Sequence, residues 1–310
     1  MDALEALPPP RHRLLNALPA RDIGLLLIVC VVWAINFLTS AYALQEFPPL
    51  LFTGLRMALL AALLWPFLKA PAPGQWPRLL GISIGLGVVH FGLSFWALKL
   101  AGDLSSVAIV MQSYVPMAAL LAWWLLGERF AWRTGLAIAV SFGGVLVLGF
   151  DPLVLDRPAS LLLMLCSAGF MALATVMMRG LQGQTPWSQQ GWLALISVGP
   201  LLALSFVIEG PLTETLTGGS WIGWSGVAYS ALVSSLLGHG LYYVLVQRHP
   251  VAQVTPWLLL APLFAVALGI LFWGDRPGPK LWIGGAMVLG GVLVIALRGW
   301  QKQRAARRSA

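Results

Sequence analysis

The sequence predicts an all-α membrane protein of ten transmembrane helices arranged as two inverted five-helix repeats. Three observations predict it. Hydrophobic residues make up 59% of the 310-residue chain and charged residues only 10%, with a mean hydropathy of +0.83. A soluble domain carries roughly 25% charged residues, so this chain cannot cover itself with a wettable surface. The apolar residues also fall into ten runs of membrane-crossing length. Finally, the chain repeats itself about halfway along, and a repeat of that kind determines how the whole fold is read.

The repeat is visible in Gln112 to Gly149 and again in Leu258 to Leu297. Pro116 matches Pro262, Gly127-Glu128-Arg129 matches Gly274-Asp275-Arg276, and Gly143-Gly144-Val145 matches Gly290-Gly291-Val292. All three matches lie 146–147 positions apart. A bilayer core about 30 Å thick needs roughly 20 apolar residues per helix. On that measure the spans cover residues 23–44, 49–68, 79–98, 104–126, 132–149, 159–178, 187–208, 221–246, 252–273 and 280–297. Short connections carry the breakers, as in Lys69-Ala70-Pro71-Ala72-Pro73-Gly74 and Pro277-Gly278-Pro279.

The first span has the flanks of a signal peptide, with Arg11, Arg13 and Arg21 before it and Ala41-Tyr42-Ala43 at its end. Removing it would break the five-plus-five pattern, so it is read as a helix. The division that follows is a tail at 1–22, repeat 1 at 23–149, an outer connecting loop at 150–158, repeat 2 at 159–297 and a basic tail at 298–310.

Each unit resembles the EamA-type repeat of the drug/metabolite transporter superfamily: an apolar helix, Pro, an apolar run, a Gly-acid-Arg turn and a helix ending in Gly-Gly-Val. Trp33-Ala34-Ile35-Asn36-Phe37 and Pro48-Pro49-Leu50-Leu51-Phe52-Thr53-Gly54-Leu55-Arg56 are similar to that family's first and second helices. The resemblance spans about residues 22–298. It implies a transporter of small organic metabolites and makes export of amino acids the most specific expectation.

Orientation follows from the basic residues. With the N-terminus inside, fourteen of the 19 Lys and Arg residues lie on the inner side; Lys99, Arg157, Arg276 and Lys280 lie outside, and Arg56 lies within a span. That is a positive-inside bias with both termini cytoplasmic. A pI of about 10.1 would suit a nucleic-acid partner, but the basic residues sit in tails and short loops, which fits the cytoplasmic membrane instead. An odd number of spans per repeat turns the second unit upside down. Inverted repeats are the usual build of secondary transporters, with the substrate near the midplane where the repeats meet.

Depth along the helices, at about 1.5 Å per residue, selects the site. Ser83, Gly87, His90 and Ser94 share one face of the third span, and the equivalent eighth span carries Ser235, His239 and Tyr242 with Tyr243 beside them. Gln112 shares a face with Ser105 and Pro116 in the fourth span, and Asn36 adds an amide in the first. Unpartnered polar groups in lipid cost several kcal/mol. These residues therefore either line a pathway or bond between helices. Trp33, Trp96, Trp192 and Trp257 are deep enough to add an aromatic wall; the wall tilts the substrate towards bulky apolar or aromatic amino acids.

Arg56 is the one full charge deep in a span. It reads either as a docking charge for a carboxylate or phosphate, or as a structural arginine bonded to backbone carbonyls or snorkelling outward. The family-like second helix carries this arginine whatever the substrate, which favours the structural reading. Pro116 and Pro262 remove backbone hydrogen bonds at matched positions and are candidate hinges.

Cys30 and Cys166 lack the spacing of a metal pair, and no Walker-type loop serves ATP, so no metal or cofactor is expected. Every Asp and Glu lies at a span edge or in a loop. Carboxylates are the usual intramembrane proton relay, so uniport or exchange is expected. Two alternatives stay open: an intramembrane enzyme, for which two separated histidines are thin support, and a drug or nucleotide-sugar-like transporter of the same superfamily.

Overall fold

A computed structural model describes residues 18–211, 216–249 and 251–309. Among the described residues the regular structure is entirely helical. Helices α1 (Ala20–Glu46), α2 (Pro49–Phe67), α3 (Trp76–Ala101), α4 (Ser105–Leu126) and α5 (Trp132–Gly149) build the first repeat. Helices α6 (Pro158–Met178), α7 (Pro186–Ile208), α8 (221–248), α9 (251–273) and α10 (Pro279–Ser309) build the second. Among the described residues nine helical stretches are long and apolar enough to cross a bilayer. The remaining one, α8, is helical without interruption, but its serines and His239 make it more polar than the others.

Local chemistry sets the ends. Proline opens α2, α6 and α7, where its missing N–H would be unpaired anyway. Thr185 and Ser220 cap their helices through bonds from Ser188 N (3.2 Å) and Ile222 N (3.1 Å). The repeated Gly-acid-Arg turns stop α4 and α9 in the same way: Gly127 and Gly274 take left-handed conformations with φ of 66° and 86°.

The two repeats interlock through exchanged contacts. Helix α2 packs on α7 and α5 on α10, each on its own counterpart; α3 packs on α6 as α8 does on α1, and α4 on α6 as α9 does on α1. The α5–α10 crossing brings backbones together at the second glycine of each repeated pair. A methyl group on Gly144 would meet Gly284 O at 2.6 Å, and one on Gly291 would meet Ala137 O at 2.6 Å. A methyl group on Gly290 would meet nothing within 4 Å. Large apolar side chains such as Leu146, Val207 and Leu271 remain exposed on the outside, where only lipid would cover them.

Two segments read as loop and tail carry helix. The loop 150–158 contains a helical turn, Pro152–Leu155, and the buried Asp151 before it caps α10 (Leu281 N to Oδ2, 2.8 Å). The tail from 298 continues α10 as far as Ser309; nothing in Arg298-Gly299-Trp300-Gln301 stops a helix as a proline would.

Candidate functional site

Two helix types shape the interior. Helices α3 and α8, equivalent in the repeats, each widen into a π-helical segment: Ser83–His90 in one and Tyr229–Gly238 in the other. The first ends on His90 and the second runs directly into His239. Extra residues in such segments re-aim side chains, and they gather at functional positions. Helices α4 and α9 are instead broken, at Gln112-Ser113 and at Leu259. Pro116 and Pro262 stand one turn beyond these breaks, because a proline ring crowds the carbonyl four residues earlier.

Of the groups predicted from sequence, Arg56 and Ser235 meet in one cluster and Trp33, His239, Tyr242 and Trp257 in another, adjoining each other along α8. In the first, Arg56 is 2% exposed and donates from Nη2 to Ser235 Oγ at 2.9 Å. Ser235 Oγ donates to Ser230 O (2.9 Å), and Gln190 Nε2 donates to Ser235 O (3.1 Å). The guanidinium carbon lies 4.5 Å from the Phe91 ring centre and 5.2 Å from that of Phe95. Three atoms here are buried without a hydrogen bond: Arg56 Nε, Gln190 Oε1 and Ser230 Oγ.

In the second cluster, Trp33 packs on His239 (5.1 Å between ring centres) and on Tyr242 (5.9 Å), and its Nε1 donates to Ser234 O at 3.4 Å. His239 Nδ1 lies 3.1 Å from Ser234 O. Trp257 joins Tyr242 around Leu26, Leu245 and Val254, and its carbonyl accepts from Cys30 Sγ at 3.4 Å. Ser235, which holds the Arg56 cation, and His239, which holds the Trp33 face, therefore stand one helical turn apart on α8. The side chain of Tyr243 lies outside the described residues.

Other expected positions are spent differently. His90 Nδ1 lies 3.0 Å from Ser167 O, an atom that only accepts, so Nδ1 carries the proton. Ser167 Oγ donates to His90 O at 2.9 Å. His90 therefore clasps α3 to α6, and only Nε2 is left for a ligand. Its ring still reaches the first cluster, packing on Phe91 at 4.7 Å. Ser94 bonds its own helix (Phe91 O, 3.2 Å). Gln112 is half-buried at the break in α4, and Asn36 Oδ1 is buried without a hydrogen bond. Trp192 is not in the aromatic wall: it donates to Lys69 O (2.8 Å) and packs edge-on to Trp76 near a helix end.

Arg56 departs from both structural readings. Among the described residues it bonds no backbone carbonyl and no carboxylate, and its burial leaves no room for snorkelling. Gln190 was missed because it lies close to the start of its span; the rule that singled out Gln112 and Asn36, an amide in an apolar run, would have found it.

The edge carboxylates have a structural task that local sequence did not reveal. Glu209 accepts from Leu50 N (2.8 Å) and Leu51 N (3.0 Å), Glu46 from Ser220 N (2.8 Å), and Asp275 from Leu104 N (3.0 Å) and Ser105 N (2.9 Å). With Asp151 on α10, they cap the starts of α2, α8, α4 and α10, where the helix dipole favours negative charge. Asp103, which binds Ser106 N at 2.7 Å, is pushed up to about 6 by burial; the Ser106 bonds oppose this, and nearby Asp275 and Asp151 add to it.

The model of the EamA-like transporter family matches residues 21–150 and again 158–297. The chain belongs to this family. As an EamA-like transporter it is similar over nearly its whole length to two proteins named "Probable amino-acid metabolite efflux pump". One, from Salmonella typhimurium, is 28% identical over 93% of this chain and 99% of its own. The other, from Escherichia coli, is 27% identical over 91% and 97%. A solved crystal structure superposes with a TM-score of 0.61 at 19% identity, covering 91% of this chain and 98% of the other. The family match thus extends through both repeats, and the chain is a multi-pass membrane transporter.

Proposed function

We propose that this transporter exports amino acids, among them bulky apolar or aromatic ones, across the cytoplasmic membrane by alternating access, as a uniporter or exchanger. The observation that carries the reading is the polar and aromatic strip on α8, buried between the repeats against α1, α2 and α7 in an otherwise apolar bundle. Ser235, His239, Tyr242 and Trp257 from the second repeat and Asn36, Gln112 and the free Nε2 of His90 from the first are the lining, with the breaks near Pro116 and Pro262 as flex points. The names of the two full-length relatives support amino-acid metabolites as cargo and efflux as direction. The positive-inside bias supports cytoplasmic termini. Exchange without ion coupling is supported by Glu46, Glu209, Asp151 and Asp275, which cap helices, and by Glu128 and Asp22, which pair with Arg179 and Arg248 at the helix ends.

Counterflow into liposomes holding the purified protein tests this. Labelled amino acids should enter transiently against unlabelled internal substrate without a pH or sodium gradient, and replacing Gln112 with a bulky apolar residue should abolish the flux. Folded protein that moves no amino acid overturns the proposal.

A further inference from the structure

We propose that Arg56, Gln190 and Ser230, gathered on Ser235, form a receptor for the α-amino-acid head group: the guanidinium takes a carboxylate and the two neutral acceptors take an ammonium. The inference rests on the exporter reading and specifies its substrate contact.

A guanidinium has five N–H donors in one plane. Among the described residues Arg56 makes a single hydrogen bond, to the neutral Ser235 hydroxyl, and Nε is buried without a partner. Phe91 and Phe95 lie close to the guanidinium, and stacking of this kind holds a cation while leaving its in-plane N–H groups unspent. The charge is 2% exposed and has no carboxylate partner among the described residues. An unpaired buried charge is among the costliest arrangements a protein holds. A planar, bidentate anion is what such a fork recognises.

The second half of the site is the mirror of the first. Gln190 spends its amide N–H on Ser235 O, so its unpaired Oε1 is a pure acceptor. Ser230 Oγ is fully buried and unpaired as well, on the helix whose Ser230 carbonyl binds Ser235. Unsatisfied donors on a cation and unsatisfied acceptors on neutral groups, joined through one serine, match a zwitterion rather than a simple anion or a cationic amine. The aromatic group of Trp33, His239 and Tyr242, one turn along α8, then receives the substrate's side chain.

The test is thermal stabilisation of the purified protein in detergent by a panel of free amino acids. Each stabilising amino acid is then compared with its carboxamide, with the matching acid lacking the amine, and with sodium chloride. The amino acid should half-saturate at about 10- to 100-fold lower concentration than its carboxamide, the range for hydrogen bonds to a charged partner. In Arg56→Gln that gap should collapse to about one-fold, and Arg56→Lys should retain part of it. In Gln190→Leu the gap between the amino acid and its deaminated analogue should narrow. The proposal is overturned if no amino acid stabilises the protein, if carboxamides match acids, if chloride matches the amino acids, or if Arg56→Gln keeps the gap. Should Arg56→Gln fail to fold, the wild-type acid–carboxamide comparison still decides. Acid-specific stabilisation without counterflow overturns the exporter reading and leaves the receptor; counterflow indifferent to the carboxylate does the reverse.

Discussion

Replacing the acid of each repeated Gly-acid-Arg turn by alanine should have unequal consequences, although the two turns match in sequence. Asp275 is 6% exposed and accepts from Leu104 N, Ser105 N and the Ser105 hydroxyl, all on Oδ2. Leu104 and Ser105 are themselves fully buried, so Asp275→Ala strands two backbone donors and a hydroxyl at the start of α4. Each stranded group costs about 1–3 kcal/mol when water cannot replace the partner. Partial access of water at a helix end lowers the sum, and about 3 kcal/mol is the expected loss, somewhat above an ordinary N-cap. Asp275→Asn keeps an acceptor oxygen but loses the charge facing the helix dipole, and should lose about 1 kcal/mol. Glu128 pairs with Arg179 at 2.6 Å, but the side chains are 50% and 48% exposed. Glu128→Ala should therefore cost about 0–1 kcal/mol. Denaturant or thermal unfolding in detergent, followed by tryptophan fluorescence, measures all three. The reasoning is refuted if Glu128→Ala costs as much as Asp275→Ala, or if Asp275→Ala stays within about 0.5 kcal/mol of wild type, the range of an uninvolved surface site.

Three further outcomes follow from the same contacts. Gly144→Ile and Gly291→Ile should destabilise or prevent folding because each forces the α5–α10 backbones apart, whereas Gly290→Ile, which meets open space, should fold normally; expression and unfolding of the three variants compare them. The Asp103 carboxyl, raised from 3.8 to about 6 by burial, binds protons more tightly in the folded protein, so its destabilising charge is present above pH 6 and relieved as pH falls towards 4. Stability should rise on acidification through that window and lose that increment in Asp103→Asn, read as the unfolding midpoint against pH. A single cysteine at the exposed Asp156 should label from outside intact cells, and one at the exposed Arg179 only after the membrane is opened; the opposite pattern inverts the proposed topology.

Much of the architecture was legible because it rests on physics local to the chain. Apolar runs, a proline at a helix start, a glycine that must take positive φ and a proline one turn past a helix break are properties of a few consecutive residues. The apolar helical spans, the Gly127 and Gly274 turns and the helix breaks near Pro116 and Pro262 could therefore be read directly. The π-helical segments before His90 and His239 could not, since a π turn depends on what packs around it.

The sequence by itself thus determined a two-repeat helical membrane protein and the polar residues available inside it. Only the tertiary structure decided how those residues are spent. Arg56 meets Ser235 across 179 positions, Glu209 caps a helix 159 positions away, and His90 is claimed by Ser167. The matched turns make the reason plain. Gly127-Glu128 and Gly274-Asp275 are alike locally, yet one acid faces Arg179 in the open and the other is buried on α4. Hydropathy and backbone geometry act over a single turn of chain, whereas a side chain's partner is set by which helix lies beside it.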